Sequence, residues 1–138
     1  MDTNTSKKIN CFIQARMSSR RLPGKVLFKF EDGETVLWKV YSQMLKIKNI
    51  DNIIVLTSLE ESDDQIEKFC IKNKINYIRG PLEDVYSRFC LALETFPCDG
   101  FVRICADSPF ANECLINYAI DVFNQNDCIY VTNTIDRN

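Results

Sequence analysis

The sequence predicts an α/β domain, a mostly parallel sheet with helices on both faces. Three observations carry that prediction. Short apolar runs alternate with segments of helical periodicity along the chain. All four glycines and all four prolines fall between those segments. The 138 residues, 46% hydrophobic and 26% charged, suit one domain and leave no room for two.

Each element follows from its own pattern. Residues 9–15 (INCFIQA) read as a mostly buried strand, and 16–25 as a polar loop ending in Leu22-Pro23-Gly24-Lys25. Asp32-Gly33 is a turn. Val36, Leu37, Val40, Tyr41, Met44 and Leu45 recur at helical spacing, which predicts an amphipathic helix over 34–47. Trp38 on that helix reads as a packing residue. Residues 53–58 (IIVLTS) are a second buried strand. Ser62 and Gln65 have capping-box spacing and open a second helix, with Ile66, Phe69 and Cys70 on its apolar face. A third strand, 76–79, is stopped by Gly80-Pro81. Val85, Phe89, Ala92, Leu93 and Phe96 mark a third helix, ended by Pro97 and Gly100. Residues 101–106 are a fourth strand, Leu115, Tyr118, Ala119, Val122 and Phe123 mark a fourth helix, and 128–132 are a fifth strand. Right-handed crossovers and the usual 3-2-1-4 order make strands one and four neighbours.

Composition excludes several classes. No run approaches the ~20 apolar residues of a membrane-spanning helix, and the polar start followed by the short run CFI does not make a secretory signal. The seven cysteines lack C-x-x-C spacing and there is no histidine, which argues against a zinc site and against Ser-His-Asp and Cys-His hydrolases. Most of the cysteines lie in apolar segments, so reduced, buried thiols in a cytoplasmic protein are expected.

The net charge of -2 hides an asymmetry. Residues 3–30 hold Lys7, Lys8, Arg16, Arg20, Arg21, Lys25 and Lys29 and no acid, whereas 31–138 hold ten bases against eighteen acids. That pattern points to a local anion site rather than a nucleic-acid surface, with Lys7 and Lys8 a solvated arm. Parallel sheets bind ligands beyond the carboxyl ends of their strands. Strand one leads there into a loop with four cations and two serines within ten residues. Arginine forks match phosphate oxygens, lysine adds a point charge, and serine and backbone N–H groups add neutral donors. The loop fits neither the P-loop nor the dinucleotide fingerprint. An ordinary exposed basic loop is the alternative. Arg103, inside an otherwise apolar strand, is expected to be buried with a partner. Asp84 and Arg88, four apart, share a helix face and could simply pair with each other. Asp107 sits just past a strand and two residues before Pro109, where either a metal ligand or a turn residue fits.

The stretch IQARMSSRRLPGKVL (13–27) resembles the opening signature of the cytidylyltransferases that activate sugar acids. That group contains CMP-3-deoxy-manno-octulosonate synthetase and acylneuraminate cytidylyltransferase, and the resemblance is greatest to its spore-coat polysaccharide biosynthesis branch. Arg79-Gly80-Pro81-Leu82-Glu83-Asp84-Val85-Tyr86-Ser87-Arg88 and Val102-Arg103-Ile104-Cys105-Ala106-Asp107-Ser108-Pro109 agree in order and spacing. The resemblance runs from about residue 9 to the end. It implies a three-layer, Rossmann-like nucleotide-diphospho-sugar transferase fold, of which 1–138 would be the amino-terminal, nucleotide-binding part. Longer family members use their later part for sugar binding and for a homodimer.

The resemblance also implies roles. Arg16, Ser19 and Lys25, with Arg21 and Ala15, would hold a nucleoside triphosphate. Gly80, Asp84, Arg88 and Arg103 would lie near the nucleotide, and Asp107 would bind Mg²⁺ in the cleft facing Arg16. The partners implied are CTP and a sugar or sugar acid, not nucleic acid or membrane. The reaction implied is CMP transfer with release of pyrophosphate, with Arg16, Lys25 and Asp107 carrying it. The alternatives are a nucleotide-binding fragment or degraded relative without turnover, and a partner-binding domain with an idle pocket.

Overall fold

Apolar residues repeated at two spacings, every second position and every third or fourth, set which segments pair and which cover them. The structure, a computed structural model, describes residues 6–134. Four strands, β1 (Ile9–Gln14), β2 (Asn52–Ser58), β3 (Asn76–Gly80) and β4 (Gly100–Cys105), form one parallel sheet in the order β3-β2-β1-β4. In register, Cys11 of β1 lies opposite Ile53 of β2 and Val102 of β4. The expected order and the adjacency of strands one and four are therefore both present.

Three helices link the strands, α1 (Val36–Met44), α2 (Asp64–Asn73) and α3 (Val85–Thr95), and α4 (Glu113–Gln125) follows β4. Their apolar residues divide between the two faces of the sheet. On one face Ile9, Cys11, Ile13 and Val55 pack with Leu37, Val40 and Met44 of α1, Ile66 and Cys70 of α2, and Ile120 of α4. On the other face α3 stands alone, its Ala92 packed with Phe12, Ile54 and Leu56. β1 is thus buried on both faces, as a continuous apolar run requires. Burial pushes the thiols of Cys11 and Cys70 up to about 12, which keeps them unreactive. Trp38 packs at the edge of the larger core, its ring centroid 5.7 Å from that of Tyr41. Among the described residues, no helix is long and apolar enough to cross a membrane.

Several expectations change. Residues 128–132 form no strand, since Ile129 and Tyr130 are exposed and neither sheet edge takes them as a partner. Such a run has neither a ladder nor an apolar face to hold it extended. Ser62 does not cap the second helix, because it lies inside a 3₁₀ turn (Glu61–Asp63) and the helix begins at Asp64. Arg103 is exposed rather than buried. β4 is an edge strand whose α3-side face is open, and Phe101 and Cys105 on that face are exposed too. Cys114 is also exposed, so burial of the cysteines holds fully only for Cys11 and Cys70. Lys7 is not a free arm, because its Nζ donates to the Phe123 carbonyl at 3.2 Å and lies 4.7 Å from that ring's centroid.

Phe12 anchors the smaller core, with ring centroids 5.9 Å from Phe89 and 4.9 Å from Phe101. Truncating such a buried ring costs about 3–5 kcal/mol through lost transfer energy and the cavity left behind. Phe12→Ala is expected to lower unfolding stability in urea by that amount. A loss below about 1 kcal/mol would mean that α3 does not pack on the sheet as described.

Candidate functional site

Parallel strands deliver their carboxyl ends to one side of the sheet, and polar residues occupy that side. β1 runs into Ala15 and Arg16, β2 ends at Thr57-Ser58, β3 at Arg79-Gly80, and β4 leads to Ala106-Asp107. Ala15 is buried, and its amide donates to the Leu56 carbonyl at 2.9 Å. The Met17 amide donates to Asp63 Oδ1 at 2.7 Å. The loop closes on itself where the Gly24 amide donates to the Met17 carbonyl at 2.8 Å. Gly24 has φ +73°, a left-handed backbone that a side chain would strain. Ser19 serves the loop's own backbone, its Oγ accepting from the Leu22 amide at 3.3 Å.

The loop's cations do not share one environment. Arg16, Arg20 and Arg21 are exposed and have no ion pair among the described residues. Lys25 is engaged, its Nζ 2.5 Å from Asp107 Oδ2. The lysine, by hydrogen bond and charge, and then more weakly Arg21, hold the Asp107 carboxyl below the usual carboxylate range. Asp107 therefore meets Lys25 directly. The pair bridges the ends of β1 and β4, where the strand order reverses and α/β sheets bind their ligands.

Arg16 lies toward the other side of the crevice. Its charge is close enough to lower the pKa of the Arg88 guanidinium, adding to the larger effect of burial, while the Asp63 carboxylate opposes both. Arg88, on α3, is 2% exposed. Its Nη2 donates to the Leu82 carbonyl at 3.3 Å, and its Nε and Nη1 have no partner among the described residues. Gly80 makes room for it, since a Cβ there would strike Arg88 Cγ. Asp84 does not pair with Arg88. It caps α3, its Oδ1 accepting from the Ser87 amide at 2.9 Å and its Oδ2 from the Ser87 hydroxyl at 2.6 Å. An N-cap precedes the helical turn, so the expected i,i+4 contact never forms.

Arg103 lies on the open face of β4. Its Nη2 and Nε donate to Gln14 Oε1 at 3.0 and 3.3 Å, and its guanidinium lies 5.6 Å from the Phe89 centroid. Arg79, at the end of β3, is structural, tied to Asp64 and Glu67 at 2.7 Å each. Asp63 is the site residue that the sequence did not single out. It sits in a run of four acids, Glu60, Glu61, Asp63 and Asp64, and nothing in the run marks which one turns inward.

A cytidylyltransferase family profile matches residues 10–137. The chain belongs to the cytidylyltransferase family. It is 35% identical over 126 residues to a spore coat polysaccharide biosynthesis protein of Bacillus subtilis, covering 88% of this chain and 52% of that protein. It is 30% identical over 125 residues to a 3-deoxy-manno-octulosonate cytidylyltransferase of Hydrogenovibrio crunogenus, covering 87% of this chain and 48% of that one. The solved structure of a cytidylyltransferase from Leptospira borgpetersenii superposes with a TM-score of 0.80 at 34% identity, covering 87% of this chain and 50% of that chain. The chain thus spans about half the length of the curated relatives it matches. The fold is that of these cytidylyltransferases.

The Lys25–Asp107 pair has a titration signature. Because Lys25 depresses the folded-state pKa of Asp107, the pair stabilises the fold above the ordinary aspartate pKa. That contribution is lost as pH falls through the depressed value. Lys25→Met is expected to move the Asp107 carboxyl titration, followed by carbon NMR, upward toward the ordinary range. An unchanged Asp107 titration in the variant would show that the contact does not form in solution.

Proposed function

We propose that this chain is a nucleotide-binding domain of a cytidylyltransferase that transfers CMP from CTP to a sugar or sugar acid, with release of pyrophosphate. The observation that carries the reading is the loop of 16–25, which presents Arg16, Arg20 and Arg21, without carboxylate partners among the described residues, at the carboxyl end of a parallel sheet. The name of the Bacillus relative supports a role in cell-surface polysaccharide biosynthesis, and that of the Hydrogenovibrio relative supports a sugar acid as acceptor.

In this reading the oxygen of a sugar hydroxyl attacks the α-phosphorus. A bond forms from that oxygen to the phosphorus, the bond from the phosphorus to the bridging oxygen breaks, and pyrophosphate carries away the electron pair. The hydroxyl proton passes to solvent. The protein's share is positioning and charge neutralisation. Arg16 and Lys25 bind phosphate oxygens, Arg21 adds charge, and Ser19 and the loop amides orient the chain of phosphates. Ala15 packs beneath the nucleotide, Gly80 and Arg88 line its β3 side, and Asp84 holds the start of α3. Arg103 lies at the margin, on the open face.

Asp107 fits a share in binding Mg²⁺. Its half-exposed carboxylate already receives a cation, the Lys25 ammonium. Among the described residues no three metal-ligating side chains cluster, so substrate phosphates would complete the coordination, as is usual for Mg²⁺. When bound, the ion would neutralise phosphate charge and polarise the α-phosphorus.

Calorimetric titration with CTP, GTP, ATP and UTP, with Mg²⁺ and then with EDTA, tests the proposal. Tightest binding of CTP is expected. Arg16→Ala and Lys25→Ala are each expected to weaken it about ten- to hundredfold, the value of a charged hydrogen bond, without unfolding the chain. Asp107→Asn is expected to lower Mg²⁺-assisted binding while metal-free binding holds or rises. If no nucleotide binds, or both cation variants bind CTP like the parent, the reading fails. Binding without pyrophosphate release would favour a module without turnover.

A further inference from the structure

Asp63 is fully buried, and its carboxylate accepts three hydrogen bonds. Oδ1 accepts from the Met17 amide at 2.7 Å, and Oδ2 accepts from the Ser58 amide at 3.1 Å and from the Ser58 hydroxyl. An aspartate at this place ordinarily caps the helix that follows. Asp63 precedes α2 and makes no cap bond, because its oxygens are turned to the β1 and β2 exits instead. Burying a carboxylate is costly unless its lone pairs are filled, so this orientation is strongly specified.

The consequence falls on Arg16. The amide before it, Ala15, donates to the Leu56 carbonyl, and the amide after it, Met17, donates to Asp63. Both flanking peptides are thereby fastened to β2 and its exit, while the Arg16 side chain stays exposed. A second buried group lies nearby. The Arg88 guanidinium has two nitrogens without partners among the described residues, faces the like charge of Arg16 and is drawn by the charge of Asp63.

We propose that Asp63 is a positioning residue of the nucleotide site: it fixes the backbone that aims Arg16 at the phosphates. The proposal rests on the reading of this crevice as a triphosphate site.

A double-variant cycle tests it, with Asp63→Asn and Arg16→Ala made singly and together and CTP affinity read by calorimetry. Asparagine keeps the size of the side chain but has neither the charge nor acceptors for all three donors. Each single variant is expected to lose about tenfold in affinity, and the double to lose little beyond about tenfold, because aim no longer matters once the Arg16 side chain is gone. A general loosening of the fold would instead multiply the losses, to about a hundredfold in the double. Multiplied losses, or an Asp63→Asn protein that binds like the parent, would overturn the inference. Should Asp63→Asn fail to fold, Ser58→Ala takes its place in the cycle, removing one donor and leaving the charge. The parent titration separates the two levels. A parent that binds no CTP overturns the proposed function and this inference with it. A binding parent with multiplied losses overturns this inference alone.

Discussion

The bond from the Met17 amide to the Asp63 carboxylate sits where β1 leaves the sheet, and the geometry of the crevice depends on it. β1 is buried on both faces, so its exit point is fixed by the cores on either side. The chain that emerges must carry four cations within ten residues and still hold one course. Like charges so close repel, and a loop pinned by its own arginines would have none left for a ligand. Here the pinning falls to neutral backbone groups and one buried carboxylate: Ala15 to Leu56, Met17 to Asp63, Gly24 to Met17. The guanidinium groups of Arg16, Arg20 and Arg21 are thereby spared.

The charges then separate across the crevice. Toward β4, Lys25 and Asp107 form a cation–anion pair that joins two strand ends. Toward β3, Arg16 and buried Arg88 make a region of excess positive charge, tempered by Asp63. The second region is the more demanding, because its cation is desolvated and incompletely paired. Under the proposed reading an anionic ligand relieves that imbalance, while the first region offers a carboxylate that can pass from an ammonium to a metal ion held by phosphates. Family membership places the chain among cytidylyltransferases, and the asymmetry gives a physical reason for an elongated polyanion to lie across the strand ends.

Much of this was legible in the sequence. Four strands, four helices, the strand order and the cationic loop all follow from periodicity and from crossover handedness. These features depend on residues close in sequence or on rules that hold for every parallel sheet. What was not legible depends on which side chain turns inward or which strand ends at an edge. Arg103 reads as buried because its neighbours are apolar, yet β4 has no partner beyond it and one face is open. The run 128–132 reads as a strand because it is β-branched and aromatic, yet nothing among the described residues pairs with it. Ser62 reads as a cap, and Asp63 beside it reads as nothing, because the bonds that decide between them reach 46 residues back to Met17. Arg88 and Asp84 read as a pair, because sequence spacing does not reveal that one is a cap and the other is buried.

Under the proposed function, one crevice at the carboxyl ends of the strands binds a nucleoside triphosphate through the loop after β1. Backbone amide NMR of the protein titrated with CTP tests it most directly. The largest shifts are expected on the loop of 16–25, on Ser58 and Asp63, on the β3 exit through Gly80, and on Asp107. Shifts concentrated elsewhere, such as the hollow between α1 and the opposite end of β2 lined by Tyr41, Ile50 and Asn52, would contradict it.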